Sequence, residues 1–136
     1  MDISPLLFCL ARLRTAAARF TECSRAEAYA LAESGDNAAS LKADGEADQL
    51  DNLTYDITDL IDRLAAAFDE DAACLAKIEE EAASYAPAKE FRACFAEFAG
   101  ELDKEIEELS GVGAADDICE DLAGLCFMVR AISRRK

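Results

Sequence analysis

The stretch LDNLTYDITDLIDRLAAAF, residues 50–68, decides the fold. Leu50, Leu53, Ile57, Leu60, Leu64 and Ala67 recur at steps of three and four, and Ile61 and Phe68 widen the seam. Side chains at that spacing share one face of an α-helix, so the stretch is an amphipathic helix. A strand would need a period of two, which is absent. Gly45 weakens the first turns, so the helix begins near residue 46 or runs from about 38. Asp69-Glu70-Asp71 marks its end.

The same geometry, 100° per residue, places Asp44, Asp48, Asp51, Asp59 and Asp62 opposite the apolar seam, with Tyr55 in the middle of the acidic stripe. Asp44–Asp48, Asp48–Asp51, Asp56–Asp59 and Asp59–Asp62 are like-charge pairs at helical spacing. Each costs roughly 0.2–0.5 kcal/mol, partly screened by salt. The total of about 1–2 kcal/mol is tolerable in a domain stable by about 5–15 kcal/mol. Stability therefore permits the stripe but is not served by it. A rod of carboxylates presents negative charge as a nucleic-acid backbone does. It attracts basic protein surfaces and repels DNA and RNA. An aromatic residue in its middle is suited to anchoring a protein contact. The plain alternative is a solvated, solubilising face, the usual meaning of a charge run.

Further helical segments lie on either side. Ser4-Pro5 offers an N-cap followed by proline at the first helical position. Leu6, Leu10, Leu13, Ala17 and Phe20 follow at helical spacing. Ser24 and Glu27 form a capping-box pattern that would restart a short helix to about Glu33. One long helix and two shorter ones both stay open before the Ser34-Gly35-Asp36-Asn37 turn. Leu75, Ile78, Ala82 and Tyr85 mark a third helix. Beyond Pro87 the seam returns in a shifted phase as Phe91, Phe95, Phe98, Leu102, Ile106 and Leu109, so a break is expected near Ala86-Pro87. Ser110-Gly111 ends the fourth helix. The last helix aligns Ile118, Leu122, Leu125, Val129 and Ile132, with Cys119, Cys126 and Phe127 extending the apolar face. It is expected to be the most buried element. The fold class that follows is all-α: an antiparallel helical bundle of four or five helices, one domain over residues 1–136.

Composition agrees. Of 136 residues 52% are apolar, two are proline, and histidine and tryptophan are absent. Such a chain is ordered, helical and long enough for a core. The net charge of −15 is unevenly spread: residues 33–121 carry 26 acidic and 6 basic residues, whereas 122–136 carry four basic residues and no acid. Asp116, Asp117 and the basic run from Arg130 to Lys136 complement the dipole of the last helix. Arg12 and Arg19 share one side of the first helix and Arg14 and Arg25 another, so no basic face forms and direct nucleic-acid binding is not expected. These arginines are expected to flank the seam or pair with acidic helices. In the fourth helix Lys89, Arg92 and Lys104 dilute Glu90, Glu97, Glu101, Glu105 and Glu108, and Lys104 is spaced to pair with Glu101 and Glu108. That is an ordinary exposed face.

Cys9, Cys23, Cys74, Cys94, Cys119 and Cys126 include no CxxC and are expected to be small buried hydrophobes kept reduced. The apolar runs at residues 6–11 and 122–129 are too short for a signal peptide or a membrane span, so a soluble cytoplasmic protein is expected. Without histidine the commonest general base, the usual triads and ExxH di-iron sites are missing. Gly111-Val112-Gly113 is only a weak GxG at a helix junction. Carboxylate pairs at Asp56/Asp59, Asp59/Asp62, Glu105/Glu108 and Asp117/Glu120 leave a magnesium-dependent nucleotide hydrolase as a third reading. No cofactor or metal is otherwise signalled.

The preferred reading is a non-enzymatic acidic protein-binding module. Asp44, Asp48, Asp51, Tyr55, Asp59 and Asp62 would act as a decoy on the basic surface of a nucleic-acid-binding protein. In size, charge and helicity the chain is similar to small phage-encoded inhibitors of bacterial defence systems, and that likeness implies an inhibitor. The alternative is a helical assembly or adaptor protein, open to homo-oligomerisation, binding through an apolar helix face, with the Phe91 and Phe95 stripe as that face.

Overall fold

A computed structural model of the chain describes residues 2–87 and 90–134. The five helices are α1 (Ser4–Glu33), α2 (Asn37–Ala67), α3 (Ala72–Ala83), α4 (Phe91–Leu109) and α5 (Asp116–Ser133), with a 3-10 turn at Gly113–Ala115 leading into α5. Among the described residues there is no strand, and no helix is long and apolar enough to cross a membrane.

Local chemistry sets most of the helix ends. α1 begins at Ser4 itself, one residue earlier than a Ser4 cap would place it. The capping bond comes from Asp2, whose carboxylate accepts the Ser4 N–H at 2.9 Å. α2 starts at the early limit of its expected range because the Asp36 carboxylate accepts the Ala39 N–H at 3.2 Å. That cap offsets the cost of Gly45 inside the helix. The turn between them uses Gly35 at φ +89°, where an L-residue is strained. Asp71 and Glu90 cap α3 and α4 in the same way, accepting from Ala73 and Arg92 N–H. α3 ends at Ala83 and α4 begins at Phe91, on either side of Pro87, where the phase shift puts the break.

α1 is one continuous helix. Ser24 and Glu27 do not interrupt it, because Ser24 is buried against the neighbouring helix and a break there would open that packing. α1 and α2 form a hairpin with arms of about 45 Å. Arg12 meets Glu101 and Phe20 meets Phe91, so α4 runs antiparallel to α1. Arg63 meets Asp121, and Asp56 shares a groove with Met128, so α5 runs antiparallel to α2. α4 and α5 pack on each other across a short connection. The four helices close an antiparallel ring, and α3 lies against the outer side of α1, tied by Arg14 to Glu79 at 3.1 Å.

One continuous core fills the ring. It takes Leu7, Leu10 and Leu13 from α1, Leu50, Leu53, Ile57, Ile61 and Leu64 from α2, Phe95 and Leu102 from α4, and Leu122 and Val129 from α5. The core ends at Ala17 on α1 and Leu50 on α2. Beyond it the hairpin continues as a two-helix arm that buries only Thr21, Ser24, Ala28, Ala43 and Ala47. Arg25 staples the arm to Asp44 and Asp48 at 3.1 and 3.2 Å, and the Ser40 hydroxyl donates to the Ala28 carbonyl at 2.7 Å.

Three expectations fail here. α1, not α5, is the most buried helix, and Phe127 is not part of the inward face: it is 75% exposed. α5 is apolar around most of its circumference from 122 to 132, and periodicity alone does not say which apolar side turns inward. Cys23 is also exposed, on the arm, whereas Cys9, Cys94 and Cys126 are buried and Cys74 and Cys119 half-buried. Burial raises the Cys9 thiol far above its ordinary value, and burial with the neighbouring Asp103 pushes Cys126 up to about 11. At mildly alkaline pH a thiol-alkylating reagent is therefore expected to label Cys23 first. Cys9 and Cys126 are labelled only on unfolding. Peptide mass spectrometry over a time course reads the order, and early labelling of Cys9 would contradict this packing.

Candidate functional site

The seam residues Leu53, Ile57, Leu60 and Leu64 hold α2 in the ring, and its opposite side stands in solvent. Asp44, Asp48, Asp51, Tyr55, Asp59 and Asp62 are all exposed there, within an arc of roughly 80°. Tyr55 is 74% exposed. The structure adds one residue that the sequence reading missed. Leu41 lies in the same phase at the arm end of the ridge and is also 74% exposed. Counting back three residues from Asp44 would have found it. Leu41 and Tyr55 are about 21 Å apart along the helix axis, with Asp44, Asp48 and Asp51 between them.

The ridge is not uniformly bare. Arg25 of α1 pairs with Asp44 and Asp48, and Arg63 lies 3.6 Å from Asp59. Asp51 and Asp62 have no ion-pair partner among the described residues. The exposed pairs contribute little stability individually, but they reduce the uncompensated charge, most of all on the arm.

Beside the ridge, α2 and α5 enclose an open groove of about 410 Å³. Leu60, Gly124, Leu125 and Met128 line it together with Asp56, Asp59, Glu120 and Asp121. Arg63 reaches across it to Asp121 at 2.5 Å. That contact raises the Arg63 pKa, chiefly through the Asp121 hydrogen bond. Among the described residues no three His, Cys, Asp or Glu converge to hold a metal ion. In the Glu105/Glu108 pair, partial burial and then repulsion from Glu108 and Glu101 raise the Glu105 carboxyl above its ordinary range.

The other charged groups serve the fold. Glu101 turns to Arg12 at 2.6 Å, and that guanidinium lies over the rings of Phe8, Phe98 and Tyr85 at 4.7, 5.5 and 5.8 Å. The intrahelical pairs expected of Lys104 with Glu101 and Glu108 are not formed among the described residues, and Glu101 pairs with Arg12 of α1 instead. Arg130 binds Asp103 and so lowers its carboxyl below the ordinary range. Arg12, Arg14, Arg25, Arg63 and Arg130 thus engage acidic partners across helices. Lys89, Arg135 and Lys136 lie outside the described residues.

The phenylalanine stripe of α4 is not a free face. Phe95 and Phe98 are buried, and Phe91 stacks on Phe20 with ring centroids 4.0 Å apart. The exposed apolar face is on α5 instead, at Phe127 and Met128. No protein-family model, no curated protein and no solved structure matches the chain.

Proposed function

We propose that the protein is a non-enzymatic binding module acting in the cytoplasm. In this reading the outward ridge of α2 is a decoy for nucleic-acid charge and occupies the basic surface of a nucleic-acid-binding protein. One observation carries the reading: Tyr55 stands 74% exposed on a rigid helix, in the middle of a row of carboxylates, where it packs against no core. Aromatic residues held in that way are the usual anchors of protein interfaces. The surrounding charge selects a basic partner and disfavours acidic ones, nucleic acid included.

The seam behind the ridge supports the same reading. Leu53, Ile57 and Leu60 fix the helix before any partner arrives, so little ordering entropy is lost on binding. Ridge carboxylates three or four residues apart are about 4.5–6 Å apart along the axis, and Asp51 and Asp59, which flank Tyr55, are about 12 Å apart. Phosphates on one strand are about 3.4 Å apart. The ridge is a sparser charge than a strand, and Tyr55 and Leu41 supply the apolar contact that a strand lacks.

The test is competition. The intact protein is titrated into complexes of basic nucleic-acid-binding proteins with labelled DNA or RNA, at low and at raised salt. Displacement is expected at low salt and falls steeply as salt rises. Absence of displacement across a panel drawn from the native host, at low salt, removes the decoy reading.

A further inference from the structure

Between Leu122 and Ile132 the only charged residue of α5 is Arg130, and it is turned onto Asp103. A helix apolar around its circumference is ordinarily covered on every side. One side of α5 is not: Ala123, Gly124, Phe127, Met128 and Ala131 are all exposed. Single exposed apolar residues are common, but these form a contiguous stripe.

The outward line of that stripe reads Glu120, Gly124, Phe127, Ala131 and Arg134, at steps of four, three, four and three. The mean step of 3.5 is the repeat by which two helices keep a shared seam. The ends of the line are also self-complementary when it is reversed. With Phe127 on a twofold axis, an antiparallel copy sets Glu120 opposite Arg134 at both ends, Ala123 of the flanking row opposite Ala131, and the open Gly124 opposite the Arg130 backbone turn. Each charged residue stands about 10.5 Å from Phe127 along the helix. Glu120 and Arg134 are exposed, and neither has an ion-pair partner among the described residues. A Cβ added at Gly124 would meet nothing within 4 Å, so the helix is flat beside Phe127 and another helix can approach closely.

We infer that α5 is a homodimer face, on which a second copy of the chain pairs antiparallel about Phe127 with Glu120 of each copy bound to Arg134 of the other. An isologous contact needs a surface that matches itself on twofold rotation, and the charged ends of this face and its Ala123–Ala131 pairs do so. The inference does not rest on the decoy reading of the α2 ridge. A single helix pair gives a small interface, so the dimer is weak, with a dissociation constant on the order of micromolar. Each copy carries a net charge of −15. Salt screens that repulsion, so added salt strengthens the dimer while weakening the binding of a basic partner to the ridge.

Sedimentation equilibrium of the full chain, from low to high micromolar concentration and at two salt levels, tests the inference. Wild type is expected to show a monomer–dimer equilibrium that shifts toward dimer at the higher salt. Phe127→Lys is expected to stay monomeric with unchanged helicity, since its side chain touches no core. Glu120→Arg is expected to weaken the dimer about tenfold, and Glu120→Arg with Arg134→Glu together to restore it. A wild-type chain that stays monomeric throughout overturns the inference. So does a dimer that survives Phe127→Lys, or a double charge swap that fails to recover the loss.

Discussion

Phe95→Ala is expected to lower stability by about 3–5 kcal/mol, a large share of the roughly 5–15 kcal/mol available to a domain of this kind. Phe95 is 0% exposed and belongs to the core that joins all the ring helices. Its ring meets Phe91 edge-on at 4.9 Å and Phe20 at 6.0 Å. Truncation removes that aromatic contact and leaves a cavity between α1 and α4, which long rigid helices cannot collapse to fill. At roughly 3–5 °C per kcal/mol for a chain of this size, the melting point falls by about 10–20 °C. Urea unfolding followed by circular dichroism measures the loss directly. Tyr55→Ala is the matched control: an aromatic of similar size, exposed on α2, whose loss changes stability by less than about 0.5 kcal/mol. Equal effects at the two positions would mean that α4 does not insert its phenylalanines into the ring.

The contrast between these two aromatics shows what was legible beforehand. Tyr55 and the α2 seam separate cleanly by phase, because polar residues occupy the rest of that helix. The buried set Leu50, Leu53, Ile57, Leu60, Ile61 and Leu64 follows from spacing alone. The phase jump across Pro87 likewise places the break between α3 and α4. Phase fails where a helix is apolar on two sides. α5 is the case in point: nothing local distinguishes Phe127, which faces out, from Cys126, which faces in. Local capping signals fail for a different reason. Ser24 and Glu27 carry a restart pattern worth about 1 kcal/mol, and α1 overrides it because both flanking turns pack on α2. The pairing of Arg25 with Asp44 and Asp48 is invisible to any local reading, since it depends on the hairpin bringing residues about twenty positions apart to one level. That pairing changes the candidate site most. It concentrates the uncompensated charge on Asp51 and Asp62, on either side of Tyr55.

That distribution makes the charge of the ridge separable from the stability of the fold. Changing Asp48, Asp51, Asp59 and Asp62 together to Asn is expected to weaken binding to a basic partner by roughly 30- to 1,000-fold. This takes each rim carboxylate at about 0.5–1 kcal/mol in the complex. The dependence of affinity on salt should flatten along with it. Stability should barely move. Among the described residues Asp51 and Asp62 have no ion pair to lose, and replacing them relieves like-charge repulsion by a few tenths of a kcal/mol. Arg25 keeps Asp44 when Asp48 is changed, and Arg63 keeps Asp121 when Asp59 is changed. A loss of binding then cannot be put down to unfolding, and circular dichroism of the same sample checks this. Tyr55→Ala probes the other half of the contact. It is expected to weaken binding at least tenfold as a buried anchor is lost, while leaving the salt dependence as steep as in wild type. Charge and anchor thus have distinct signatures on one helix face. If the fourfold Asn variant binds a basic partner as wild type does, at low and raised salt alike, the ridge is a solubilising surface and Tyr55 an exposed residue upon it.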